Sequence, residues 1–171
     1  LTFFRARRHR FNETADGPFY GRVDMNNIAL MGHSRGGEAA AVAASFNTLK
    51  YYPDDFKQKF NFNFAIKSVV AIAPVDGQYK PTGQFTPLEN VNYLLVHGSH
   101  DGDVSTAVGL RQYERLRFTN DDAHFKAVLF MYRANHGQWN EKKDALLFDI
   151  LREPLEELVG AGSAVEQRQR A

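Results

Sequence analysis

Not one of the 171 residues is a cysteine. This excludes a disulfide scaffold, a thiol nucleophile, zinc–thiolate sites and iron–sulfur clusters, and leaves the cellular compartment open. Neither sign of charge dominates, since 21 Lys and Arg face 20 Asp and Glu for a formal net charge of +1. No global field therefore recruits nucleic acid or an anionic membrane surface. Long apolar runs are missing too, none approaching the ~20 residues of a membrane span. There is no internal repeat, no low-complexity tract and no Gly/Ser linker. The sequence begins at Leu1, so it carries no information on a targeting peptide. Apolar and aromatic surface is plentiful, with 13% aromatics within 43% hydrophobic residues. That excludes disorder as the main theme and suffices for one core, so residues 1–171 read as a single domain.

Two hydrophobic periods alternate along the chain. Nearly continuous apolar runs at Ile28–Gly32, Ser68–Ala73, Tyr93–His97 and Ala127–Tyr132 predict strands covered on both faces. Helical spacing occupies Glu38–Leu49, with Val42, Phe46 and Leu49 on one stripe beside several alanines. A second helix is predicted over Ser105–Leu116, capped by Ser105, with Val108, Tyr113 and Leu116 inward. A third covers Ala145–Leu151 and ends before Pro154. Strands alternating with helices predict an α/β fold with a parallel sheet and right-handed crossovers. Ligand sites in such sheets lie beyond the carboxyl ends of the strands.

Beyond the first strand stands Gly32-His33-Ser34-Arg35-Gly36-Gly37, running directly into the alanine-rich helix. Strand, G-x-S-x-G, helix is the pattern of a nucleophile elbow. The serine at such a tip takes a strained backbone, and residues two to either side must lack bulk, a demand met by Gly32 and Gly36. The helix N-terminus then directs backbone N–H groups at the oxyanion formed when Ser34 attacks a carbonyl.

A serine nucleophile needs a base and an orienting acid, here in the order Ser, Asp/Glu, His. His136 follows the last strand in Ala134-Asn135-His136-Gly137, where the glycine lets a short loop turn over the elbow. Three aspartates compete for the acid. Asp101, in His97-Gly98-Ser99-His100-Asp101, sits on the loop before the second helix. Asp103 suits that helix's N-terminal cap and first turn. Asp76 follows the second strand in Ala73-Pro74-Val75-Asp76-Gly77 and would serve if the acid came one strand earlier. The geometric roles of a triad also predict a Ser34 hydroxyl about 3 Å from an imidazole nitrogen, or a little looser without substrate.

Together, Gly-His-Ser-Arg-Gly-Gly, His-Gly-Ser-His-Asp and the later Asn-His-Gly resemble an α/β-hydrolase. The nearest flavour is the bacterial esterase-like group related to chlorophyllases, platelet-activating-factor acetylhydrolases and dienelactone hydrolases. The resemblance spans roughly residues 20 to 140. It implies Ser34 as nucleophile, Asp101 as acid, His136 as base and the backbone N–H of Arg35 as one oxyanion donor. It also implies the C-terminal half of the fold, about four parallel strands flanked by helices. An α/β-hydrolase normally has on the order of a hundred residues before its elbow, whereas 33 precede Ser34 here. The chain is accordingly expected to be a partial domain, cut at both ends and lacking the loop that gives a second oxyanion N–H. The residues 1–171 alone are expected to be poorly soluble or partner-dependent and nearly inactive.

The function implied is serine esterase chemistry on a small-molecule ester with an apolar part, without cofactor, metal or nucleic acid. A hydrolase-fold binding module and an acyltransferase are the alternatives. Other features have plainer readings. Arg5–Arg10 is a basic cluster at the solvated end of a helix, with no nucleic-acid motif beside it. His97, His100, Asp101 and Asp103 match no metal motif: a calcium loop starting at Asp101 would need glycine and glutamate where Thr106 and Gln112 stand. Phe60, Phe62 and Phe64 either cover the sheet before the second strand or line an acyl pocket.

Overall fold

The computed structural model describes residues 12–139. The helix expected at Ala145–Leu151, the basic cluster Arg5–Arg10 and the Ser163–Arg170 segment lie outside the described residues. In chain order the elements are β1 (Ile28–His33), α1 (Arg35–Phe46), β2 (Tyr51–Tyr52), β3 (Asp55–Lys59), β4 (Ile66–Ile72), β5 (Asn92–Gly98), α2 (Thr106–Arg115) and β6 (Lys126–Met131). One-turn 3-10 helices occupy Pro81–Gly83 and His136–Trp139. β1, β4, β5 and β6 form one parallel sheet in that order, the expected α/β architecture.

The sheet's faces follow from its register. Val69 pairs with Tyr93, Ala71 with Leu95, and His97 is next but one on the same face. Both helices lie against this face. Ala40 and Ala41 of α1 share a core with Val69, Ala71, Tyr93 and Leu95, to which Leu116, directly after α2, is added. Gly109 of α2 rests on the His97 ring, and Gln112 of α2 accepts the Tyr93 hydroxyl at 2.8 Å. The sequence placed a Val42–Phe46–Leu49 stripe inward on α1, but the buried positions are Gly37, Glu38, Ala40, Ala41 and Ser45. Small side chains let the helix axis approach the sheet closely, and this displaces the bulky stripe to the flank.

On the face that carries the helices, Val69 and Ala71 of β4 and Tyr93, Leu95 and His97 of β5 are wholly buried, whereas Val70 and Leu94 on the opposite face are half-buried, so the expected coverage of both faces is complete on one face only. β1 and β6 are the edges of the described sheet, and there Met31 is 72% and Phe130 52% exposed. Four similar apolar runs thus differ in burial by their place in the strand order and by the face each side chain meets, neither of which hydrophobicity encodes.

A two-stranded antiparallel hairpin, β2 with β3, was not read in the sequence. Pro53-Asp54 between the strands is its turn signal. Beside it Phe46, Tyr52, Phe60 and Tyr79 pack at centroid distances of 5.7 to 6.1 Å, with Phe62 and Phe64 continuing from Phe60. Asn47 holds this segment to the end of α1 by accepting the Phe64 N–H at 2.7 Å and donating to its carbonyl at 2.8 Å. The phenylalanines therefore cover the carboxyl end of α1 rather than the sheet. A helix of this length rises about 18 Å from the elbow, so they do not line an acyl pocket at Ser34 either.

Candidate active site

β1 ends at His33 and α1 begins at Arg35, so Ser34 alone makes the turn between them. It does so at φ 57° and ψ −119°, in the left-handed half of backbone space that a side chain disfavours. Surrounding bonds hold it there: its N–H donates to the Ile72 carbonyl at 2.9 Å, and its carbonyl accepts from Gly37 at 3.0 Å and Val75 at 3.2 Å. A Cβ at Gly32 would stand 2.0 Å from the Gly36 carbonyl oxygen, so no side chain fits. Gly36 corrects the expectation, because a Cβ there meets nothing within 4 Å. The restriction falls on Gly37 instead, where a Cβ would come within 2.8 Å of the Pro74 side chain. The first helical turn crosses β1 by the backbone of Gly36, so its own Cβ direction stays open while the next residue faces the sheet. Arg35 opens the helix, where an N–H has no intrahelical acceptor.

At the neighbouring strand ends the structure brings Asp101 and His136 together. His136 Nδ1 donates to Asp101 Oδ2 at 2.8 Å, and Asp101 Oδ1 accepts the N–H groups of Val104 at 2.8 Å and Asp103 at 3.0 Å. The side chains are 1% exposed for Asp101 and 14% for His136. Burial pushes the Asp101 carboxyl upward, but the Val104 N–H, His136 and the Asp103 N–H outweigh it and hold it below the usual carboxylate range. With Nδ1 bound to the carboxylate, Nε2 is the nitrogen left with a lone pair to accept a proton.

Gly98 makes this pairing possible, since a Cβ there would lie 2.1 Å from the Ala134 carbonyl oxygen. The two loops are then tied together: Ser99 N–H to Met131 carbonyl at 2.9 Å, His100 N–H to Ala134 carbonyl at 3.0 Å, and Arg133 N–H to the Ser99 hydroxyl at 2.8 Å. Sequence reasoning assigned no role to Gly98 or Ser99. A glycine directly after a strand was the available signal.

The His33 ring lies 4.5 Å from the His136 ring, which sets the Asp101–His136 pair beside the elbow. Among the described residues the Ser34 hydroxyl makes no hydrogen bond to His136, so the expected contact of about 3 Å is not closed.

The other two aspartates have different duties. Arg115 Nη1 and Nη2 donate to both oxygens of Asp76, at 2.9 and 2.8 Å, and the Asp76 side chain is 2% exposed. Asp76 is thus a strut between the loop after β4 and α2. Asp103 does not cap α2, whose N-cap is Ser105 and whose first turn holds no acidic residue. It lies exposed in the preceding turn and offers its N–H to Asp101. Two further buried polar groups escaped the sequence reading. Glu38 accepts the N–H groups of Gly77 at 2.6 Å and Tyr79 at 3.2 Å, and Gln112 donates to the Val75 carbonyl at 2.9 Å. Together they fix the loop after β4 that supports Ser34. Arg115→Met is expected to destabilise the fold by roughly 3–5 kcal/mol, because it leaves the buried Asp76 carboxylate unpaired. Urea unfolding measures this, and an unchanged midpoint would remove the strut role.

His97, weighed as a metal ligand, is buried beneath Gly109, while His100 accompanies Ser99 and Tyr132. They do not converge with Asp101 and Asp103, and among the described residues no group of three or more His, Cys, Asp or Glu could hold a metal ion. Among the same residues no helix is long and apolar enough to cross a membrane.

No protein-family model matches the chain, and no curated protein matches it in sequence. Among solved structures it is similar to a truncated form of a carbohydrate esterase from gut microbiota, with TM-score 0.51 and 15% identity, over 77% of this chain and 59% of that one. The crystal structure of esterase PE8 gives TM-score 0.39 and 17% identity, over 73% of this chain and 49% of that one. The chain thus spans less than two thirds of the length of either. What the first similarity shows is the fold, an α/β arrangement shared with an esterase.

Proposed function

We propose that Ser34, His136 and Asp101 form the catalytic triad of a serine esterase. The observation that carries the reading is the 2.8 Å bond from His136 Nδ1 to a buried Asp101, set beside a serine held at positive φ between a parallel strand and a helix. A strained serine is costly unless the surroundings enforce it, and here those surroundings also bring an oriented imidazole alongside.

In the reaction, Ser34 Oγ bonds to the ester carbonyl carbon while its proton passes to His136 Nε2. The oxyanion faces the Arg35 N–H at the start of α1. The carbonyl–alkoxy bond then breaks, and the leaving alkoxide takes the proton from His136. Water reverses these roles to release the acid and regenerate Ser34. Transfer of the acyl group to another acceptor would use the same intermediate. The similarity of Gly32-His33-Ser34-Arg35-Gly36-Gly37 to the chlorophyllase-type lipase motif supports the esterase reading. The substrate is a small carboxylic ester, and both apolar-alcohol and acylated-carbohydrate esters belong in the assay panel.

A fluorophosphonate probe tests the reading, and because it is a single-turnover reagent it serves even where turnover is slow. Labelling is expected at Ser34, located by peptide mapping, and is expected to be lost in His136→Ala. Labelling at another residue, or none, rejects the triad and leaves a hydrolase-fold binding module.

A further inference from the structure

We propose that His33 is a positioning residue for His136: its ring forms the wall that keeps the base in line with Asp101 and directed at the Ser34 hydroxyl. The inference rests on reading Ser34 and His136 as nucleophile and base.

Among the described residues the His136 imidazole makes one hydrogen bond, through Nδ1, and that bond alone leaves the ring able to pivot about the line to Asp101 Oδ2. Its loop is slight. Between β6 and residue 139 the described chain forms a one-turn 3-10 helix, steadied by the Asn135 side chain accepting from Gly137 at 2.9 Å and Gln138 at 3.1 Å. Something must oppose the pivot. His33 meets the ring at 4.5 Å between centroids, tilted by 42°. It is also well anchored, as the last residue of β1, in register with Ile72 and preceding a serine whose N–H is bound to the Ile72 carbonyl.

The His33 ring acts by shape. Its Nε2 is buried and has no hydrogen-bond partner among the described residues. Among the described residues the charged or titratable groups acting on it are His136 and Asp101. Burial, followed by the neighbouring His136, lowers its proton affinity below the ordinary histidine range, against smaller opposing pulls from Asp101 and from the His136 backbone. The wall is therefore uncharged at neutral pH and does not oppose the positive charge that His136 acquires when it takes the serine proton. Since protonation is harder in the folded state, the stability owed to the neutral ring is full above the ordinary histidine pKa and declines as pH falls below it.

Three measurements on His33→Ala and His33→Phe test the proposal in the full chain: the rate of fluorophosphonate labelling at Ser34, the pH at which labelling is half-maximal, and the downfield NMR resonance of the His136 Nδ1–H. His33→Ala is expected to slow labelling by roughly 10²-fold, the scale for a reacting group displaced by about 1 Å. It should also raise the half-maximal pH, as water reaches the imidazolium, and broaden the Nδ1–H resonance through solvent exchange. His33→Phe restores a ring without nitrogens and should match the unsubstituted chain in all three. Loss of folding alone would lower the amount labelled without moving the half-maximal pH. Unchanged values in His33→Ala overturn the proposal, as does a His33→Phe variant as impaired as alanine. If the unsubstituted chain is not labelled at Ser34, the nucleophile reading fails separately. The Nδ1–H resonance then decides the positioning role: its loss in alanine and survival in phenylalanine uphold it, and no difference rejects it.

Discussion

Ser34→Ala is expected to abolish fluorophosphonate labelling and to lower turnover of a short-chain carboxylic ester by roughly 10⁶-fold, and His136→Ala should cost about as much. The two losses are not additive. Without the hydroxyl there is no atom to form the acyl-enzyme, and without the imidazole the hydroxyl stays protonated and weakly nucleophilic. The double variant should therefore retain about the same residual rate as either single one, from oxyanion stabilisation and binding alone. Steady-state kinetics on a panel of esters measures the drop, and labelling reads the same event where turnover is slow. Neither side chain carries the described fold: Ser34 is held by its backbone, and His136 opens a one-turn 3-10 helix after β6. Turnover by Ser34→Ala near that of the unsubstituted chain would show that the elbow is not the reacting centre.

Much of the sheet was legible because each strand that enters it is a short apolar run bounded by polar or glycine-containing segments. Strand ends agree with the observed ones to within two residues at Ile28–His33, Ile66–Ile72, Asn92–Gly98 and Lys126–Met131. What the pattern could not supply is order across the sheet, and with it the exposure of Met31 and Phe130 at the edges. The face of α1 was misread because bulk was taken as the sign of burial. At close approach to a sheet, alanine and glycine are what fit, and Phe46 instead joins aromatics supplied by a hairpin that carries too few residues to show a strand period.

The candidate site divides along the same line. Ser34, Asp101 and His136 each follow a strand in a local motif, so sequence order alone suggested them. The residues that hold them are joined through space. Gly98 approaches Ala134, Ser99 bonds to Arg133, Glu38 reaches Gly77 and His33 meets His136. Each of these joins segments that only strand pairing brings side by side. The separation of the three aspartates was likewise decided in space, because nothing local to Asp76 announces Arg115 from a helix almost forty residues later.

That separation sets the second large effect. Asp101→Asn is expected to lower turnover by roughly 10⁴-fold, as loss of a triad acid does, while Asp103→Asn changes little. The amide keeps an oxygen for the Val104 and Asp103 N–H groups, so the loop should survive. It then turns its NH₂ toward His136 Nδ1, which must become the acceptor. The proton moves to Nε2, and the nitrogen facing the serine can no longer take one. Asp76→Asn provides the contrast. It weakens the pairing with Arg115 and should lower the urea midpoint, while the surviving folded protein retains its labelling rate. The pH dependence of stability gives an independent reading of Asp101. Its carboxyl is held below the usual range in the fold, so its contribution is present above the unfolded value of about 3.9 and is lost as pH falls through the folded one. Asp101→Asn should therefore flatten the loss of stability below about pH 4. A larger loss of turnover per folded molecule at Asp76 than at Asp101 would move the acid to the end of β4, and the bond between Asp101 and His136 would then be structural.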